Sequence, residues 1–176
     1  MRTASVLSVL WVLGLSVWFG PFTPSTSAGE VSAVNAVSAP DWQLSDLDGA
    51  TVQLRDYRGR VVLINFWAGW CTPCLKEMPS LQRLSTSMEG KPFALLTINT
   101  GQSRGAATRS VRQTKVQLPV LLDRNGDVFR QWKGRMLPTS FILDREGRVR
   151  YRILGDMEWD NDREVEEILA ALLRED

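Results

Sequence analysis

Val61-Val62-Leu63-Ile64-Asn65-Phe66-Trp67-Ala68-Gly69-Trp70-Cys71-Thr72-Pro73-Cys74 carries the only two cysteines of the chain, two residues apart, behind an apolar run. A lone Cys-x-x-Cys is a redox pair, half of a metal site, or chance. A closed tetrahedral zinc site takes four ligands, usually Cys or His. The chain has no second cysteine pair and no histidine. A strand that leads straight into a helix-borne Cys-x-x-Cys is the redox arrangement. Nor does the spacing suit a structural crosslink, because a disulfide stabilises most when it closes a long loop. The pair therefore points to dithiol/disulfide chemistry, and the residues suggest no metal and no cofactor.

Outward from this stretch, periodicity gives the fold class. Val61 to Ala68 is apolar on both faces, as a central buried strand requires. From Pro73 to about Met88, Leu75, Met78, Leu81 and Leu84 recur at helical spacing, with Pro73 in the first turn, where a missing N–H costs nothing. Upstream, Trp42-Gln43-Leu44 and Thr51 to Leu54 flank Asp48-Gly49, the signature of a short hairpin. Downstream come a buried strand at Phe93 to Asn99, a helix at Ala106 to Lys115 and a short strand at Val120 to Leu122. A second hairpin joins Thr139–Leu143 to Val149–Ile153, and an amphipathic helix at Arg163 to Leu173 closes the chain. Val128 to Trp132 is too short to assign. This order predicts an α/β fold, a mixed central β-sheet with helices on both faces and an N-terminal β-hairpin extension.

The N-terminus reads differently. Met1-Arg2-Thr3 precedes an uncharged, mostly apolar run over Ala4 to Phe22, which is an export signal. The run fits either a leader cleaved after Ala28 or an anchor that stays in the membrane. Thr23 to Pro40, rich in Ser, Thr, Ala, Val and Pro, reads as polar tether. The expected organisation is thus 1–28 signal peptide or membrane anchor, 29–40 flexible spacer and 41–176 the folded domain. Without the leader the chain holds twenty basic and twenty acidic residues, a balance that argues against nucleic acid as partner. Haem and nucleotide sites lack their motifs: there is no Cys-x-x-Cys-His and no Gly-rich phosphate loop.

Four segments together resemble the thioredoxin superfamily and, within it, the exported TlpA/ResA-like (redoxin/DsbE-related) thiol-disulfide oxidoreductases. These are Gly49 to Gly59, Val61 to Leu81 around the cysteines, Leu137-Pro138-Thr139, and Phe141 to Gly155. The resemblance implies a thioredoxin-like fold over roughly residues 40–174. It also implies an extracytoplasmic location, protein substrates bearing disulfides, and a membrane thiol-disulfide electron donor. Reduction of apocytochrome c or of copper-site assembly proteins is the implied task. The Gly134 to Thr139 segment does not carry the Gly-Ala-Pro-Glu of dedicated cytochrome-maturation relatives. Oxidase or isomerase action, a thiol peroxidase and a copper-binding module are the alternatives. Against the peroxidase, Trp67 stands where Cys74 would need a proline; against the copper module, histidine is missing.

Physical chemistry assigns the thiols. Cys71 falls at a helix N-terminus, where free N–H groups and the helix dipole favour a thiolate; Cys74 lies one turn further in and is suited to resolve a mixed disulfide. Thr72 and Pro73 tune the strain of the ring and the stability of the thiolate, and Trp70 contributes an apolar contact surface for substrate. Pro138 alone reads as an ordinary trans proline opening a strand. The resemblance instead implies a cis proline packed on the disulfide, with Leu137 offering its backbone to an extended substrate. Glu77 shares a helix face with Cys74. It is either a solvated residue beside Lys76 or, as the resemblance implies, a proton acceptor for Cys74. Asn65 aligns where many thioredoxins carry a buried aspartate and cannot take up a proton. Gly69 stands where relatives more usually have Ser or Thr, a change expected to loosen the loop.

Overall fold

The computed structural model describes residues 29–175, so the segment 1–28 lies outside it. Eight strands form one mixed sheet: β1 (Glu30–Ser38), β2 (Gln43–Asp46), β3 (Thr51–Gln53), β4 (Val61–Trp67), β5 (Phe93–Thr100), β6 (Val120–Asp123), β7 (Thr139–Leu143) and β8 (Arg148–Leu154). Their order across the sheet is β1-β8-β7-β4-β5-β6-β2-β3. The β4–β5 and β5–β6 pairs are parallel and the rest antiparallel. Among the described residues, four α-helices, α1 (Thr72–Ser87), α2 (Arg104–Thr114), α3 (Asp127–Gln131) and α4 (Arg163–Arg174), and a 3-10 turn at Leu54–Tyr57 complete the fold.

β4 is buried at every residue, as its sequence, apolar except at Asn65, requires of a strand covered on both faces. Its side chains divide by parity. Val61, Leu63 and Trp67 join the core beneath α1 and α4, with Met78, Leu81, Val165 and Leu169. Val62, Ile64 and Phe66 face the opposite core, where Trp42, Leu54, Val128 and Trp132 cover the sheet. There Phe66 meets Phe129, Trp132 and Phe141 in tilted and edge contacts, and α3, too short to read from periodicity, brings Val128 and Trp132 into the same core.

The segment expected to be a spacer is a strand. β1 pairs with β8 from Glu30↔Leu154 to Ser38↔Arg148, so the folded unit begins near residue 30, not 41. An edge strand needs only one hydrogen-bonded neighbour and little apolar surface: Val31 packs on one core and Val34 on the other. The register shift between Ala33 and Val37 breaks the alternation by which a strand announces itself. Registers also fix polarity. Thr139 pairs with both Phe66 and Leu154, and Leu154 with Glu30. The start of β1, the start of β7 and the cysteines that follow β4 therefore lie at one end of the sheet.

Candidate active site

Cys71 and Cys74 form a disulfide, with an S–S distance of 2.03 Å. Cys71 is the N-cap of α1, and its Sγ accepts a hydrogen bond from the Cys74 N–H at 3.3 Å. The sulfur of Cys71 thus sits where the helix dipole and an oriented N–H both favour negative charge. Cys74 is fully buried, while Cys71 retains 5% exposure. Thr72 and Pro73 are exposed between them.

The approach to Cys71 is a tight turn in which the Cys71 N–H donates to the Ala68 carbonyl at 3.1 Å. Gly69 does not loosen this turn. Its N–H donates to Gln102 Oε1 at 2.6 Å, and the same oxygen accepts from Asn99 Nδ2 at 2.9 Å. A Cβ on Gly69 would stand 1.9 Å from Ser110 Oγ and 2.8 Å from Ser110 Cβ. Glycine is required here because α2 crosses against the loop, a contact no local sequence feature announces.

Beside this turn, the Leu137–Pro138 peptide is cis, the form implied by the resemblance. The Pro138 carbonyl accepts from Gly155 N–H at 3.1 Å, and Thr139 Oγ1 donates to the Met136 carbonyl at 2.7 Å. Leu137 packs against the core that contains both cysteines. Trp70 is 71% exposed, Met136 is 49% exposed, and both line a cleft of about 330 Å³ with Leu137 and Phe129. Trp67, in contrast, is a core residue.

Glu77 is not the solvated residue its neighbour Lys76 suggested: it is 1% exposed. Asn65 Nδ2 donates to its Oε1 at 2.8 Å, while Trp159 Nε1 (2.8 Å) and the Met157 N–H (3.1 Å) donate to its Oε2. Asn65 Nδ2 also reaches Ser140 Oγ at 2.9 Å. Burial pushes the Glu77 carboxyl up to about 7, against the opposing pull of these three donors. A carboxyl poised near neutrality, three residues along the helix from Cys74, is equipped to exchange protons at working pH. Trp159 and Met157 were invisible as site residues in the sequence, since some eighty positions separate them from Glu77.

Two outcomes are expected from this geometry. Gly69→Ser lowers unfolding free energy by about 1–3 kcal/mol through overpacking. Adding Ser110→Gly recovers more than additivity allows, measured by urea denaturation; strictly additive losses would show the contact to be unimportant. For Glu77, the folded protein holds its proton more tightly than the unfolded chain does. Its contribution to stability is therefore fully present below the unfolded value of 4.5 and is lost as pH rises through about 7. The oxidised protein should lose about 2–3 kcal/mol between pH 5 and 8 that Glu77→Gln does not lose. Parallel pH profiles for the two proteins would contradict this assignment.

Comparison with known proteins places this arrangement. The Redoxin family profile matches residues 34–172. The thiol-disulfide oxidoreductase ResA of Geobacillus thermodenitrificans is 34% identical over 157 residues, covering 89% of this chain and 87% of the relative. ResA of Bacillus subtilis is 30% identical over 157 residues, covering 89% and 85%. Among solved structures, a Chlorobium tepidum protein assigned as thiol:disulfide interchange protein DsbE is 32% identical with a TM-score of 0.73, covering 80% of this chain and 99% of that one. The thioredoxin domain of a thiol-disulfide oxidoreductase from Bacteroides vulgatus is 25% identical with a TM-score of 0.69, covering 78% and 99%. With a Cys71–Cys74 pair at the head of α1 and a cis proline beside it, this chain belongs to the redoxin family, as a ResA- and DsbE-related thiol-disulfide oxidoreductase of thioredoxin fold.

Proposed function

We propose that this protein is an exported reductant that keeps selected cysteines of extracytoplasmic proteins in the thiol state, apocytochrome c or copper-site assembly proteins being the substrates implied by the resemblance in sequence. The observation that carries the reading is the disposition of the thiols: Cys71 at the helix N-cap with an N–H on its sulfur, Cys74 sealed one turn behind it. Export rests on the apolar run from Ala4 to Phe22, which serves as leader or anchor.

The reaction proceeds in two exchanges. The Cys71 thiolate attacks one sulfur of the client disulfide, that S–S bond breaks, and the client's other sulfur leaves as a thiolate. Cys74 then attacks the Cys71 sulfur and releases the first client sulfur. The client gains two electrons and the protein loses two, ending as the Cys71–Cys74 disulfide. Glu77 takes the Cys74 proton as that thiol becomes the nucleophile, a role its raised proton affinity suits. Trp70, Thr72, Pro73, Leu137 and Pro138 form the contact surface for an extended client segment. A thiol-disulfide donor in the membrane returns the electrons.

Direction follows from the potential of the pair, which equilibration with glutathione or dithiothreitol buffers measures. A value of about −270 mV or lower is expected of a reductant; one near −120 mV, roughly that of a strong oxidant, would sink the reading. The division of labour has its own check. Cys74→Ser should accumulate a mixed disulfide between Cys71 and a client peptide, and Cys71→Ser should accumulate none. Trapping through Cys74 instead would reverse the assignment.

A further inference from the structure

The surface beside the disulfide is charged unequally. On the α3 flank, Arg124, Arg130, Lys133 and Arg135 are exposed against a single exposed carboxylate, Asp127. The carboxylates that follow β8 do not balance this flank: Asp156, Glu158 and Asp160 pair with Lys76 and Arg83 of α1, and Asp160, Asp162 and Glu166 lie by Ser87 and Lys91 at the far end of that helix. The chain as a whole is nearly neutral, with a formal charge of +1, so this basic excess is local.

The apolar cleft next to Cys71 opens on the basic flank. Trp70, Met136 and Leu137 supply its apolar wall, and Arg130 and Arg135 its charged one, with no acidic side chain in its lining. Arg130 is already committed: it pairs with Asp127 and donates to the Asn125 carbonyl at 2.8 Å. Arg135 is exposed and makes neither ion pair nor side-chain hydrogen bond among the described residues. It is one residue from exposed Met136 and three from cis Pro138. An unpaired guanidinium at the rim of an apolar cleft selects a carboxylate in whatever chain lies along it.

We infer that Arg135 makes this site selective for client polypeptides that carry Asp or Glu beside the disulfide-forming cysteine, the client segment lying in the Trp70–Met136 cleft with its carboxylate on Arg135. The inference rests on the exchange chemistry proposed above and adds to it the kind of sequence exchanged. A client with basic residues around its cysteine finds no partner in the cleft and is repelled by Arg135.

The experiment uses the reduced full chain and three oxidised peptides that share one disulfide and differ only in flanking residues: acidic, neutral or basic. Second-order rate constants for reduction, each divided by that of the neutral peptide, are compared at low and high salt. The acidic peptide should react about fivefold faster than the basic one at low salt, the scale of one exposed ion pair, and the ratio should shrink as salt screens it. Arg135→Glu should bring the ratio to one or below, while Arg112→Glu, an exposed charge reversal on α2, should preserve it. Equal rates for acidic and basic peptides, or a preference that survives Arg135→Glu, would overturn the inference. Failure of the neutral peptide to react at all would instead overturn the exchange reading, and this inference with it.

Discussion

The carboxylate of Glu77 ties together three parts of the chain. Through Asn65 it holds α1 to β4, and through the Met157 amide and the Trp159 indole it holds α1 to the segment between β8 and α4. Ser80, one turn further, repeats the second link by donating to the Met157 carbonyl and accepting from the Trp159 amide. An ionised carboxylate so deeply buried is tolerable only because each oxygen is met by a donor. The same burial raises its proton affinity into the neutral range. One group therefore serves the architecture and is poised for proton transfer, and neither property can be altered without the other.

Around that hub, the catalytic loop is held from outside α1. β4 delivers the chain to Ala68, the turn closes on Cys71, and Gln102 receives the Gly69 N–H from the far side. Gln102 is held in turn by Asn99, a fully buried residue of β5. Cys71 is thus placed by a strand, a helix cap and a neighbouring crossover loop, which leaves it little positional freedom. Preorganisation of this kind is what exchange chemistry needs, since the attacking sulfur must lie in line with the bond it breaks.

Most of the frame was legible because it rests on periodicity. β4 announces itself by seven consecutive apolar or buried positions, α1 by Leu75, Met78, Leu81 and Leu84, and α4 by its apolar stripe. The cysteine pair carries its chemistry in its spacing. What stayed hidden depends on contacts between distant residues. Glu77 looks like a surface residue until Trp159 covers it, and Gly69 looks permissive until Ser110 is seen above it. β1 fails the strand pattern because a bulge interrupts it. α3 has too few residues to show a helical period, although Val128 and Trp132 are buried.

The polarity of β1 has a mechanical consequence. Gly29 donates its N–H to the Asp156 carbonyl at 2.9 Å and leads directly into the strand whose first residue pairs with Leu154, at the disulfide end of the sheet. Gly29, the first described residue, thus lies at the disulfide end of the sheet. Any group tethered at residue 29 would therefore sit beside the disulfide, not at the far end of the sheet, and would crowd the approach to Cys71.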